Sequence, residues 1–202
     1  MEEKYFEYGE QEIVYLSKKD KKLGEAIERI GIIKREVNPD LFSSLVESIV
    51  AQQISAKAAV TVTNKLYAIC DMNSEKLFAL SLEEIQACGM SMRKASYIKN
   101  IAEAAVKKDI DFETLQAKTN QEIIDTLTTI KGVGVWTVEM LLIFSLKRSD
   151  VVSYGDLAIR RGMMKLYGLK ELPKEKFLRY AKRYEPYGSI ASLYLWHIAS
   201  EA

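Results

Sequence analysis

The sequence predicts an all-helical protein, and three observations support this prediction. Only three of the 202 residues are proline, at positions 39, 173 and 186, so few points interrupt a helix. Long stretches repeat apolar residues at intervals of three and four, which is the period of an amphipathic helix. Side chains that typically cap helices precede several of these stretches.

The N-terminal segment is the exception to this helical pattern. Tyr5–Tyr8 and Ile13–Leu16 are largely aromatic or aliphatic, and Gly9 and Glu10 lie between them. This arrangement predicts either a short β-hairpin or an extended arm. We therefore expect residues 1–38 to form an N-terminal arm and a first helix that pack with the C-terminal part of the chain.

Capping residues mark the helix starts in the rest of the chain. Four predicted helices follow a side chain that can accept a hydrogen bond from the first turn: Asp40, Ser55, Ser81 and Thr119. The last two also have a glutamate three residues later, which is the capping-box pattern. The first of these helices is predicted at 41–52, and the second ends near residue 70. Further helices are predicted at 91–108, at 137–146, from Pro173 onward and at 189–200.

Composition restricts the class of protein. No run of eighteen or more apolar residues is present, so no membrane span is predicted. Cys70 and Cys88 are too few for a disulfide scaffold or a four-cysteine iron–sulfur cluster, and the first residues do not resemble a secretory signal. We therefore expect a cytoplasmic protein. With a net charge of only +1, binding to nucleic acid would require a local basic patch and backbone amides.

The most informative stretch is 127–137, where a helix ends, the turn Gly132-Val133-Gly134 follows and an apolar helix begins. Glycine permits positive φ angles and close approach of another backbone. The N-terminus of the next helix presents amide groups and the positive end of its dipole, which suit a phosphate oxygen. The stretch therefore predicts either an anchor for a nucleic-acid backbone or an ordinary connection between two helices.

Asp156 follows Gly155 and precedes another stretch with helical periodicity. An aspartate at this place is expected to cap the helix. The same position can direct a carboxylate into a cleft, so a structural role and a catalytic role are compatible.

Together, four segments resemble the helix-hairpin-helix (HhH-GPD) superfamily of DNA glycosylases, and they are most similar to its 3-methyladenine DNA glycosylase II branch. They are 45–58, the glycine turn with its apolar helix, the segment around Asp156, and 187–191 with Trp196. They occur in family order, and the resemblance covers about residue 20 to the C-terminus. It implies two helical lobes, at 39–146, with the hairpin at about 123–146, and at 147–202.

The resemblance implies a monofunctional glycosylase of base excision repair that hydrolyses the N-glycosidic bond of an alkylated purine and leaves an abasic site. The hairpin would hold double-stranded DNA while the damaged nucleotide rotates out of the duplex. Asp156 matches the catalytic aspartate, which would stabilise positive charge on the sugar or orient a water molecule. Trp136 occupies the place of the lysine that forms a Schiff base in strand-nicking relatives.

Further site residues follow from the same resemblance. The pocket for a cationic base would be lined by Trp136, Trp196, Tyr154 and Met140. Contacts with DNA are expected from Gln52, Gln53, Ser55, Lys131, Gly132, Gly134, Thr137 and Ser189. Some relatives place an apolar wedge at the position of Gln53, so this residue departs from their pattern. The family also implies a possible Na⁺ or K⁺ ion at the main-chain carbonyls of Thr128, Ile130 and Val133, and no other cofactor.

Two alternatives remain open. A glycosylase for oxidised or mismatched bases would call for a lysine at 136 or a different pocket wall, whereas a non-catalytic helix-hairpin-helix module would not need Asp156. His197 is expected to be structural. The basic run from Lys174 to Arg183 is either a solvated face or a contact to phosphates. We expect a monomer without an obligate protein partner, located with the nucleoid of a prokaryotic cell.

Overall fold

The computed structural model describes residues 4–201, and it confirms the all-helical prediction. Within this range the chain forms twelve α-helices, a 3-10 helix at Leu115–Ala117 and one isolated β-bridge between Tyr5 and Glu36. The α-helices are α1 (Glu10–Lys19), α2 (Lys21–Ile30), α3 (Leu41–Ala51), α4 (Ala56–Cys70), α5 (Ser74–Ala79), α6 (Leu82–Ala87), α7 (Met92–Val106), α8 (Asn120–Leu127), α9 (Val135–Phe144), α10 (Leu157–Tyr167), α11 (Lys174–Tyr184) and α12 (Gly188–Ser200).

The chain divides into two compact units. Within the described residues, unit 1 consists of residues 4–37 and 142–201, and unit 2 consists of residues 38–141. The second boundary lies before the end of α9, so it falls earlier than the sequence-based boundary after residue 146. No helix in the described part of the chain is both long and apolar enough to cross a membrane.

The N-terminal segment corrects one expectation, because Ile13–Leu16 is not a β-strand but part of α1. The Gly9 N–H donates to Glu12 Oε2 (2.9 Å) at the start of this helix, and Leu16 is fully buried. Only the preceding residues are extended, since the Phe6 N–H donates to the carbonyl of Arg35 (2.8 Å). The extended arm is therefore present and the hairpin is wrong. Glutamates in the first turn favour the helix.

The predicted capping residues of unit 2 are confirmed. Each of the four accepts a hydrogen bond of 3.1–3.3 Å from an amide in the first turn of its helix: Asp40, Ser55, Ser81 and Thr119. The short helix α5 was not predicted from the sequence. It has six residues, of which only Leu77 is buried, so it is too short to establish a periodic pattern.

In unit 1, α1 and α2 pack with the C-terminal helices α10, α11 and α12. The hydroxyl groups of Tyr8 and Tyr194 lie 3.2 Å apart. Buried Asp20, the N-cap of α2, accepts hydrogen bonds from the Tyr167 hydroxyl (2.6 Å) and from Arg183 (3.1 Å). Arg183, at the end of the predicted basic run, is therefore paired with a buried carboxylate.

Helices α10 and α12 approach each other backbone to backbone. A Cβ atom added to Gly162 on α10 would lie 1.9 Å from the carbonyl oxygen of Leu195 on α12. Only a hydrogen atom fits at this position. The contact therefore fixes the direction of the helix that begins after Asp156.

We expect Gly162→Ala to lower the free energy of unfolding by about 3 kcal/mol, because α10 and α12 must separate to accommodate the methyl group. Urea denaturation measures this change. Gly9→Ala is the matched control: its added Cβ has its nearest neighbour 3.9 Å away, and a loss below about 1 kcal/mol is expected. Equal stability of the two variants would contradict the packing described here.

Candidate functional site

The predicted hairpin is present as α8, a tight turn and α9. The Val133 N–H donates to the carbonyl of Ile130 (3.0 Å) within the turn. The first hydrogen bond of α9 runs from the Val138 N–H to the carbonyl of Gly134 (3.2 Å). α9 therefore begins two residues earlier than predicted, and the amides of its first turn precede the internal hydrogen bonds of the helix.

The protein's own packing requires glycine at one of the two glycine positions of the turn but not at the other. Gly132 has φ +107°, and a Cβ there would lie 2.2 Å from Cγ of Tyr97 on α7. Both the backbone angle and the close packing thus require glycine. Gly134 is exposed, its φ lies outside the positive region, and an added Cβ would meet nothing within 4 Å. No described contact of the protein therefore requires glycine at position 134.

One face of α9 carries large side chains. Trp136 and Met140 are four residues apart and therefore lie on the same face, one helical turn from each other. The Trp136 side chain is 42% exposed, whereas Met140 is partly buried. Thr137 is only 3% exposed, so its expected DNA contact is restricted to the amide in the first turn of α9.

Asp156 is the N-cap of α10, as its sequence context predicts. The side chain is only 7% exposed, and Oδ1 accepts a hydrogen bond from the Ile159 N–H (2.9 Å). The backbone carbonyl of Asp156 also accepts the Arg160 N–H (3.1 Å). The carboxylate is thus held at the positive end of a helix dipole by the first turn of that helix.

Helix α12 holds the loop that leads to Asp156. Ser189 is fully buried; its hydroxyl donates to the carbonyl of Arg148 (2.6 Å) and accepts the Val151 N–H (3.0 Å). Ser192 Oγ lies 2.9 Å from the Val151 carbonyl oxygen. The expected contact of Ser189 with a phosphate is therefore wrong, because the hydroxyl proton is used inside unit 1.

Tyr154 belongs to the packing between α10 and α11. Its ring meets Phe177 edge-on, with centroids 5.2 Å apart. Two cations lie over the same ring, the Arg160 guanidinium at 5.2 Å and Lys174 Nζ at 5.7 Å. These contacts with α11 give no support to the predicted place of Tyr154 in a base pocket. Arg160, one helical turn after Asp156 on α10, is a cation that sequence reasoning did not single out.

Trp196 is partly buried and packs on an aromatic residue at the end of α9. Its ring lies 5.4 Å from the ring of Phe144 with an interplanar angle of 30°, and the Arg35 guanidinium lies 5.3 Å from the Phe144 centroid. Phe144 is eight residues after Trp136, so it continues the face of α9 that carries Trp136 and Met140. This spacing was a signal in the sequence that the prediction did not use.

The Gln52–Ser55 loop connects α3 to α4 in unit 2. Gln52 is the C-cap of α3, and Gln53 is exposed with φ +57°, in the left-handed region that non-glycine residues seldom adopt. Ile54, which sequence reasoning did not single out, is 40% exposed. Ser55 is exposed and caps α4. The loop therefore presents an amide and an aliphatic side chain next to each other.

The carbonyl groups considered for a monovalent cation belong to the hairpin turn. Thr128 is the C-cap of α8, and the Ile130 carbonyl accepts the Val133 N–H while keeping a second lone pair. Neutral carbonyl oxygens fit Na⁺ or K⁺. In residues 4–201 no group of three His, Cys, Asp or Glu side chains could hold a metal ion.

Ser189→Ala is expected to lower the free energy of unfolding by about 1–3 kcal/mol, because the buried Val151 N–H loses its acceptor. Its affinity for undamaged duplex DNA should equal that of the wild type. Chemical denaturation and fluorescence anisotropy measure the two quantities. Ser200→Ala, in which an exposed hydroxyl is removed, is the control. Weaker DNA binding by Ser189→Ala without a loss of stability would instead support the predicted contact of Ser189 with a phosphate.

Comparisons with known proteins agree with this arrangement of segments. A family model described as HhH-GPD superfamily base excision DNA repair protein matches residues 46–186. DNA-3-methyladenine glycosylase 1 of Schizosaccharomyces pombe is 37% identical over 161 residues, which are 77% of this chain and 71% of that protein.

Two solved structures are similar over almost their whole length. The DNA-3-methyladenine glycosidase of Bacillus halodurans has a TM-score of 0.87 at 37% identity, with 98% of this chain and 93% of that chain covered. A 3-methyladenine DNA glycosylase of S. pombe in complex with abasic DNA has a TM-score of 0.81 at 33% identity, with 93% and 95% covered.

Proposed function

This chain belongs to the HhH-GPD superfamily of base excision DNA repair proteins, and from this premise we propose that it is a monofunctional DNA glycosylase for alkylated purines. The observation that carries the proposal is the buried Asp156 at the start of α10, in a chain that also has the hairpin. The substrate class follows from the 3-methyladenine enzymes of S. pombe and B. halodurans that the chain resembles. Its partner is double-stranded DNA with a damaged base, which it binds as a monomer.

Amides rather than charges would anchor the DNA backbone at the hairpin. Unit 2 contains ten Lys and Arg residues but thirteen Asp and Glu residues, so its overall charge does not attract DNA. The first turn of α9 offers N–H groups and the positive end of a dipole to a phosphate oxygen. The open surface at Gly134 lets the phosphate approach the backbone closely.

The chemistry requires little beyond a well-placed carboxylate. Alkylation at a ring nitrogen makes the purine cationic and hence a good leaving group. As the bond between C1′ and the base nitrogen breaks, its electron pair leaves with the purine and neutralises it, while positive charge develops on the sugar. Asp156 would stabilise this charge or orient the water that adds to C1′.

The side chain of Trp136 would account for the preference for a cationic purine. The exposed face of Trp136 can stack on an extruded purine and attract its positive charge. Because position 136 holds no lysine, no Schiff base with the sugar forms there, and the abasic strand stays intact.

Asp156→Asn should reduce the release of methylated purines from alkylated duplex DNA by about 100-fold or more. Asparagine caps helices about as well as aspartate, so the melting temperature should change by no more than a few degrees. Chromatography of the released bases measures the activity, and a thermal scan measures stability.

Three results would each contradict a different part of the proposal. Equal release by the wild type and Asp156→Asn would remove this carboxylate from the mechanism. Retained DNA binding without release from any alkylated duplex would indicate a binding module. Strand breakage without added alkali would contradict only the monofunctional reaction.

Gly134→Ala should weaken binding to undamaged duplex by about tenfold, comparable to losing one hydrogen bond to a charged group, and leave stability unchanged. Gly132→Ala should instead lower the free energy of unfolding by about 3 kcal/mol, because of its positive φ and the Tyr97 ring. Anisotropy titration and denaturation distinguish these effects. Gly9→Ala is the control, and we expect it to bind DNA as the wild type does and to lose less than about 1 kcal/mol of stability. Wild-type affinity of Gly134→Ala would contradict the anchor.

A further inference from the structure

Three side chains on α7 of unit 2 form one stripe, because Lys94, Tyr97 and Asn100 follow each other at intervals of three residues. At one end of the stripe, Lys94 Nζ donates hydrogen bonds to the carbonyls of Val50 (2.8 Å) and Gln52. Val50 lies in the last turn of α3, and Gln52 is its C-cap and the first residue of the Gln52–Ser55 loop. Lys94 thus serves as a cap for the C-terminus of α3.

At the other end, the stripe contacts the hairpin turn. Asn100 Nδ2 donates to the carbonyl of Lys131 (3.2 Å), and Tyr97 packs against Gly132 at a distance that excludes a Cβ atom. Lys94 and Asn100 are separated by six residues, or about 9 Å along the helix axis. The two loops expected to contact DNA are therefore mounted on a single helix.

The charge of Lys94 is directed at the loop and not at an acidic partner. Burial lowers the pKa of this lysine, and no carboxylate counteracts that effect. Its ammonium group meets the negative end of the α3 dipole. Lys99, on the same helix, makes the same kind of contact at a different place: it donates to the carbonyls of Phe78 and Leu80 at the end of α5 and not to the Gln52–Ser55 loop.

The loop depends on this contact because its own hydrogen bonds are long. The Gln52 N–H lies 3.3 Å from the carbonyl of Ile49, and the Ile54 N–H lies 3.5 Å from that of Ala51. Between them, Gln53 is held in the left-handed region at φ +57°. A non-glycine residue persists in this conformation only where its surroundings fix it.

We propose that the Lys94–Tyr97–Asn100 stripe of α7 is a brace that sets the spacing between the hairpin and the Gln52–Ser55 loop, with Lys94 as the positioning residue for that loop. While the hairpin holds the phosphates, Gln53 and Ile54 enter the gap left by the extruded nucleotide. This inference rests on the proposed function, since it concerns the DNA step of the same reaction. Small misplacements of such groups reduce rates strongly.

The test compares Lys94→Met with the wild type, with Lys94→Arg and with Lys99→Met as the matched control on the same helix. Three quantities are measured: affinity for undamaged duplex, the rate constant of methylpurine excision with enzyme in excess, and the emission of 2-aminopurine beside a tetrahydrofuran abasic analogue. Insertion of the loop changes the stacking of this fluorophore and hence its emission.

For Lys94→Met we expect affinity for undamaged duplex within twofold of the wild type, excision slower by tenfold or more, and less than half of the emission change. Lys94→Arg should recover most of both losses, and Lys99→Met should stay within twofold of the wild type throughout. Lys94→Gln, which retains a donor, replaces the methionine variant if that protein does not fold.

Three results with the variants would overturn the brace: wild-type excision and emission in Lys94→Met, equal losses in Lys99→Met, or affinity of Lys94→Met for undamaged duplex that falls as much as its excision. The emission signal requires no excision. A Lys94-dependent signal without released purine would therefore refute the proposed enzymatic function and leave the brace intact. If the wild type produces no emission change, the brace is refuted.

Discussion

The hydrogen bond between Asp156 and the Ile159 amide is the interaction on which the placement of the candidate site in unit 1 depends. It places a largely buried carboxylate at the first turn of α10, so the position of the acid is as well defined as the helix. α10 is in turn fixed along its length. Gly162 brings it against the backbone of α12, and Tyr167 at its C-terminus donates to buried Asp20. A group that must meet a reacting atom benefits from such a rigid support.

Under the proposed function, unit 2 must hold a polyanion although the total charge of unit 2 is not positive. Its ten cationic side chains are outnumbered by thirteen acidic ones, and two of the cations, Lys94 and Lys99, bind carbonyl groups of the protein itself. Lys94 and Lys99 each cap the C-terminus of a helix in this way. The charges of these lysines thus organise loops, and under the proposed function the amides at the N-terminus of α9 would bind phosphates. A low net charge is therefore compatible with specific DNA binding.

The sequence predicts what is local in the chain. A capping side chain, its helix and the glycine turn lie within a few residues of each other, so all four predicted caps of unit 2 and the cap at Asp156 are present. The strand prediction for Ile13–Leu16 failed because a short aliphatic run is compatible with a strand or a helix. The burial of Leu16, which favours the helix, exists only in the folded protein.

Side-chain roles that depend on contacts between residues far apart in the sequence could not be predicted from local sequence patterns. Ser189 looks like a polar residue at a helix start, but its partners, Arg148 and Val151, lie about forty positions earlier in the chain. Lys94 is likewise an ordinary lysine until its helix is packed on α3, more than forty residues away in sequence. The expected roles of Asp156 and Trp136 came from the family resemblance. A resemblance includes information about substrates that neither helical periodicity nor capping contains.

At position 156, the requirement of the helix cap differs from the requirement of the proposed reaction. The cap of α10 needs one side-chain oxygen, which asparagine or serine would provide equally well. A buried carboxylate is more costly than a buried amide or hydroxyl, because an ionised group loses more hydration. The cap alone therefore does not require an acid at a site that is only 7% exposed. A reaction in which positive charge develops on a sugar does give one, since a carboxylate fixed in advance stabilises that charge without having to reorganise.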